Sequence, residues 1–171
     1  MKFVSKESIH RALEIMEGLD ESKIDAFFDQ FSRQQPSILD FIMGNREEMT
    51  GEEFDVLLEL TFVTYMAFYE EDPEIKEVTA EEVEKIIADA LKHIDEMDEN
   101  DDEVMEEAAG NAMEMAKQPL VFQFLIEDLM AREEEGGFED EDSSPAFVLP
   151  TLQMLMSMLD AGMNGIGMRV V

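Results

Sequence analysis

Two histidines, His10 and His93, and no cysteine limit the chemistry open to this chain of 171 residues. Without cysteine there is no thiolate nucleophile, no disulfide framework and no Cys-ligated zinc. Glu7-Ser8-Ile9-His10 has the Glu-x-x-His spacing that sets a carboxylate and an imidazole on one helical face. A di-iron bundle needs two such motifs and two further inward carboxylates, and the chain carries one motif. His10 is therefore expected on a solvated face, and His93 near a helix C-terminus that favours a cation. Asp98, Asn100 and Asp102 fall at positions 1, 3 and 5 of an EF-hand-like loop. The loop then fails, because Glu103 stands where glycine is required and Ala109 where a bidentate glutamate is required. Gly162, Gly165 and Gly167 form no phosphate cradle, and no G-x-S-x-G elbow is present. The expectation is a non-enzymatic protein with no catalytic, cofactor or metal residues.

Methionine is the residue whose abundance asks for an explanation. There are 15, five of them from Met154 onward, including the M-x-M-x-M of Met154, Met156 and Met158. Thioethers bind Cu(I), but a helix throws alternate residues onto different faces, so this spacing does not converge on a metal. The expected role is packing, with an adaptable apolar groove as the alternative. A candidate partner surface combines Phe62, Tyr65 and Tyr69 of a central helix with Met154, Met158 and Met163.

Charge excludes further classes. With 43 acidic and 12 basic residues the formal net charge is −31, and the pI is about 4.1. Such a surface repels nucleic acids and anionic membranes, so neither is expected as a direct partner. Three roles fit the charge: solubility, a decoy whose carboxylates stand in for phosphates on a basic protein, and an acidic pole that steers a partner toward an apolar groove. Two acidic runs stand out. DEMDENDDEVMEE spans 95 to 107 with nine carboxylates, and EEEGGFEDED spans 133 to 142 with seven. Residues Asp98, Asp101, Asp102, Glu139, Asp140, Glu141 and Asp142 form the candidate acidic pole.

The elements that must position these residues read as about eight amphipathic helices with no strand alternation. Ile9, Ala12, Leu13 and Met16 share a face of the first, ending at Gly18. Asp20 caps the second, with Ile24, Phe27, Phe28 and Phe31 inward. Pro36 opens a third carrying Ile38, Leu39, Phe41 and Ile42. Thr50-Gly51-Glu52-Glu53 fits a capping box before Phe54 to Tyr69, which is apolar nearly all round and is expected to be the central core helix. Thr79 to Glu82 repeats the box before a fifth helix with Val83, Ile86, Ile87, Ala90, Leu91 and Ile94. A sixth is expected from about Asp102 to Lys117, a seventh from Pro119, and an eighth from Pro145 or Pro150. No continuous apolar run reaches the roughly 18 residues of a membrane span, and the N-terminus holds no secretory apolar region. The expected location is the cytoplasm.

One internal match organises these helices. RQQPSILDFIM at 33 to 43 aligns with AKQPLVFQFLI at 116 to 126, with Gln35/Gln118, Pro36/Pro119 and Phe41/Phe124 identical. The preceding helix faces, Ile9 to Met16 and Val83 to Ala90, align at an offset of 74, the Gln-Pro blocks at 83, and Phe54/Phe147 at 93. The second copy thus holds two insertions of about ten residues, which coincide with the acidic runs. The expected architecture is a single all-α domain, 1–171, resembling helical-repeat proteins in a general way. It has pseudo-repeat halves 5–72 and 79–162, acidic loops 95–103 and 133–144 meeting at one pole, and a C-terminal tail, 163–171, docked on the body or on a second subunit. The expected function is that of a bacterial-type protein-protein interaction module or adaptor whose partner is a protein of unknown identity, with a basic protein and a homodimer both allowed. The alternative is the acidic decoy, and a carboxylate-metal enzyme ranks third.

Overall fold

The computed structural model describes the backbone of residues 1–95 and 117–165, and the side chains of 1–92 and 117–165. Among these residues the chain is all-helical, without a strand: α1 (Lys6–Glu17), α2 (Glu21–Gln34), α3 (Pro36–Met43), α4 (Gly51–Glu71), α5 (Ala80–Asp95), α6 (Pro119–Glu134) and α7 (Pro145–Asn164). The helix expected from about 102 to 117, the Asp98, Asp101 and Asp102 of the first acidic loop, and residues 166–171 of the tail lie outside the described residues.

Local chemistry starts these helices where the sequence places it. Asp20 accepts from the Lys23 amide, and Thr50 and Glu53 exchange side-chain bonds with each other's amides in a complete capping box. Thr79 and Glu82 repeat that exchange ahead of α5. Pro36 and Pro119 occupy the first helical turn, where a missing N–H costs nothing. The last helix begins at Pro145, so Pro150 lies inside it, in its second turn. Gly18 and Gly44 end their helices with right-handed φ values, so no left-handed cap is made there. Gly136 and Gly165 have positive φ of 78° and 83°.

α4 is the central helix. Twelve of its side chains are buried, including Leu57, Leu60, Tyr65 and Phe68, and its two inward threonines return their hydroxyls to the carbonyls of Leu57 and Leu60. α7 lies beside it and runs in the same direction. At one end Thr50 Oγ1 stands 2.5 Å from Ser143 Oγ, and at the other Lys2 reaches both Asp72 and Asn164. α1 packs antiparallel on α4, with Ser8 bonded to Glu71. α2 covers another face through aromatic rings: Phe27 meets Phe62 edge-on at 5.6 Å, and Phe31 lies 4.5 Å from Tyr65.

Several inward assignments shift. Ile24, in the first turn of α2 ahead of the stretch that packs on α4, is 41% exposed, and Leu91 is 50% exposed. Phe41 and Phe124, the identical pair of the Gln-Pro blocks, are only half-buried at the core edge. Their neighbours fill the interior instead: Ile38 and Val121, Leu39 and Phe122, Ile42 and Leu125. α7 is long and apolar enough to cross a membrane by length and composition, with mean hydropathy 1.3 over an 18-residue window, half of which is buried here. Its inner face carries the buried Asp160.

Candidate interaction surfaces

The molecule has two ends, each defined by polar side chains that tie separate segments together. At the end where α4 and α7 finish, two buried glutamines do the work. Gln35, at the start of α3, donates from Nε2 to the Lys76 carbonyl at 2.9 Å and accepts the Val78 amide on Oε1 at 2.9 Å. Gln118, at the start of α6, accepts the Val4 amide at 2.8 Å and donates to the Lys2 carbonyl at 3.0 Å. Each is 1% exposed, so an unbonded amide there would cost about 1–3 kcal/mol. Gln118 also donates to Asp160 Oδ1 at 2.7 Å, which in turn accepts from Asn164 at 2.9 Å. The two extended segments so held precede α1 and α5. Both place a valine in the core, Val4 at 1% and Val78 at 0% exposure.

Charge reinforces this end. Lys2 Nζ lies 2.6 Å from Asp72 Oδ2, and the bond from Lys2 holds the Asp72 carboxyl below its ordinary range. Asp72 raises the ammonium of Lys2 in return. Glu71 accepts from the Ser5 amide and the Ser8 hydroxyl, and bonding from Ser5 and then Ser8 lowers its carboxyl too.

At the opposite end one buried carboxylate joins the starts of both central helices. Glu53 is 2% exposed, accepting the Thr50 amide on Oε1 and the Ser144 amide on Oε2, both at 2.9 Å. Around it lies a shallow depression of about 270 Å³, lined by Glu47, Glu48, Met49, Thr50, Glu53, Asp142 and Phe147. Phe147 is 62% exposed, the most exposed aromatic ring among the described residues. Glu139, Asp140, Glu141 and Asp142 are exposed on the approach to α7, and the Asp140 amide is tied to Glu52. This half of the expected acidic pole therefore borders an apolar ring.

The candidate partner residues are dispersed. Tyr65 and Met158 are 1% and 0% exposed and belong to the core, because α2 covers the α4 face that carries Tyr65. Burial pushes the Tyr65 phenol up to about 12. Phe62, Tyr69, Met154 and Met163 are half-buried against the core. Among the described residues no group of three or more His, Asp or Glu side chains is placed to hold a metal. Glu7 and His10 lie on the exposed side of α1, and the side chain of His93 lies outside the described residues.

Sequence reasoning notes Gln35 and Gln118 as identical but misses what they hold. The signal was there: the 74-residue offset of the helix faces extends upstream to Lys2/Lys76, Val4/Val78 and the capping pair Ser5/Thr79. Phe147 enters the sequence reading only as the counterpart of Phe54 in the internal match. Compared with protein-family models, with curated proteins and with solved structures, the chain matches none.

Proposed function

We infer that the chain is an acidic, non-enzymatic protein-interaction module, and that the end bearing Phe147 is its contact surface. The single observation that carries this reading is an aromatic ring, 62% exposed, in a depression whose other walls include Glu47, Glu48 and Asp142. An exposed apolar ring supplies affinity on burial, while surrounding carboxylates speed the approach of a basic partner and reject acidic ones. The net charge of −31 acts in the same sense over longer range.

The same reading includes a duplicated architecture of two four-helix halves, with an eighth helix between α5 and α6. It is supported by the equivalent use of the two Gln-Pro joints. Gln35 in the first half holds the segment that leads into the second, and Gln118 in the second holds the segment that leads into the first. Equivalent positions also have equivalent burial, as with Ile9 and Val83 at 6% and 5%.

The test is capture from lysate on the immobilised chain with salt-step elution, run beside Phe147→Ala and a variant with Glu139, Asp140, Glu141 and Asp142 changed to amides. Basic proteins held by the wild type, lost from the amide variant and released early from Phe147→Ala are expected. Identical capture by all three baits would overturn this surface. Release of every protein at modest salt, with Phe147→Ala unchanged, would favour the charge decoy instead, since exposed charge contacts are screened.

A further inference from the structure

The internal match sets Phe147 against Phe54, near the start of α4, and the two rings are covered differently. Phe54 is 7% exposed, and the guanidinium carbon of Arg46 lies 6.0 Å from its ring centre, within reach of a cation–π contact. Phe147 is 62% exposed. Arg46 comes from the segment that leads into α4. The segment that leads into α7, 135–144, has five carboxylates and neither lysine nor arginine. The second ring thus meets solvent without the cation that the first receives from its own approach segment.

The depression around Phe147 fits such a cation in charge and in size. Its walls bring Glu47, Glu48 and Asp142 beside the ring, and no lysine or arginine lines it. Glu53 already serves two amides, whereas Glu47, Glu48 and Asp142 are exposed and face an approaching ligand. The volume, about 270 Å³, lies below the roughly 300–1,000 Å³ of sites that enclose a small molecule. One long side chain fits there while the backbone that carries it stays outside. Of the two long cationic side chains, arginine matches a ring beside carboxylates better. Its guanidinium is planar and weakly hydrated, so it stacks on a phenyl face while its N–H groups reach carboxylates. A lysine ammonium is strongly hydrated and has no flat face to stack.

We propose that the Phe147 depression is a receptor for one arginine side chain of a basic protein segment, with the guanidinium stacked on the ring and its N–H groups turned to Glu47, Glu48 and Asp142. This receptor rests on the reading of the Phe147 end as the contact surface, and adds the group that the surface selects. The net charge of −31 draws any cationic segment over longer range. The preference for arginine over lysine is made at the ring.

The probes are two fluorescent hexapeptides of equal charge, all-arginine and all-lysine, titrated into the full-length chain and followed by anisotropy. At about 150 mM salt, general attraction is screened beyond about 8 Å. The arginine peptide is expected to bind about three- to tenfold more tightly than the lysine peptide. That preference should vanish in Phe147→Ala and in Phe147→Leu, which keeps apolar bulk without a π face, while affinity for the lysine peptide barely changes. Because the ring is 62% exposed, both variants should keep their helical circular dichroism. Carbon-13 methyl spectra of the methionines locate the peptide on the wild-type chain. The Met49 signal, assigned through Met49→Leu, should shift with the arginine peptide before that of the exposed Met130. Equal affinity for the two peptides overturns the arginine receptor, whereas the contact surface itself fails by a different result, identical lysate capture by all baits. A preference that survives loss of the ring, or a Met130 response ahead of Met49, places the guanidinium elsewhere and overturns the site.

Discussion

At Gly162 and Gln118 a single side chain, or its absence, decides how two segments meet. Gly162 lies inside α7, where alanine would ordinarily add about 1 kcal/mol of helix stability. Here the added methyl would meet the Lys76 carbonyl at 2.8 Å and Ile75 at 3.0 Å, and the first of these is backbone that cannot swing aside. Gly162→Ala should therefore destabilise the chain by roughly 1–3 kcal/mol, read as a lower urea midpoint with an unchanged slope. A stabilised variant would show that residues 75–78 can retreat. Gln118 poses the opposite problem, since it serves the Val4 amide, the Lys2 carbonyl and Asp160 together. Gln118→Ala leaves the buried Val4 amide without a partner, while Asn164 still serves the Lys2 carbonyl and Asp160, and should cost about 1–3 kcal/mol. Tyr65 offers a spectroscopic check of burial. Its phenol is raised to about 12 by desolvation, so in a Tyr69→Phe background the tyrosinate absorbance should appear near that pH. Because the folded value lies above the ordinary value of about 10, this contribution to stability is whole below pH 10 and fades as the pH rises toward 12.

Between helices, legibility followed the kind of force involved. Apolar periodicity and end chemistry are local, so Asp20, Thr50, Thr79, Pro36 and Pro119 open the helices that the sequence assigns to them. The apolar run from Phe54 to Tyr69 was equally plain, because only a helix surrounded by others can be apolar on every side. Which side of an amphipathic helix meets a neighbour depends on partners distant in sequence, and there the expectations strayed. Tyr65 was assigned to a surface, yet Phe27 and Phe31 of α2 cover it. The identity of Phe41 and Phe124 suggests anchors of the core, yet it marks an equivalent place at the core's edge. A substitution series separates these cases. Phe31→Ala, at 0% exposure, should cost about 3–5 kcal/mol, whereas Phe41→Ala and Phe124→Ala should each fall below about 2 kcal/mol. Equal losses at all three positions would restore the anchors.

Over the whole molecule the sequence announces a large negative charge but not where it is stored. Part of it is structural, in Glu53, Glu71, Asp72 and Asp160, each of which accepts bonds that join separate segments. Such placements escape sequence reading because the donors lie 42 to 91 residues away. Most of the other carboxylates among the described residues are exposed and repel one another, so two opposing dependences on solution conditions follow. Glu71 and Asp72 have carboxyls held below their ordinary range in the folded chain, so they stabilise it above about pH 4 and stop doing so as the pH falls through their lowered values. Lys2, raised in turn by Asp72, stays charged throughout that window, so acid acts through the carboxylates. Protonating exposed carboxylates meanwhile relieves repulsion across a chain with 43 acidic and 12 basic residues. Salt distinguishes the two effects, because it screens exposed repulsion and leaves the bonds of buried carboxylates largely intact. At neutral pH the melting temperature should climb as sodium chloride rises from about 10 mM to about 500 mM, where the screening length shrinks from roughly 30 Å to a few Å. The climb should flatten near pH 4 as charge is lost. Should it instead fall with salt at neutral pH, attraction through pairs such as Lys2–Asp72 and Arg132–Glu59 would outweigh repulsion, and the surface would be a network of ion pairs in spite of its net charge.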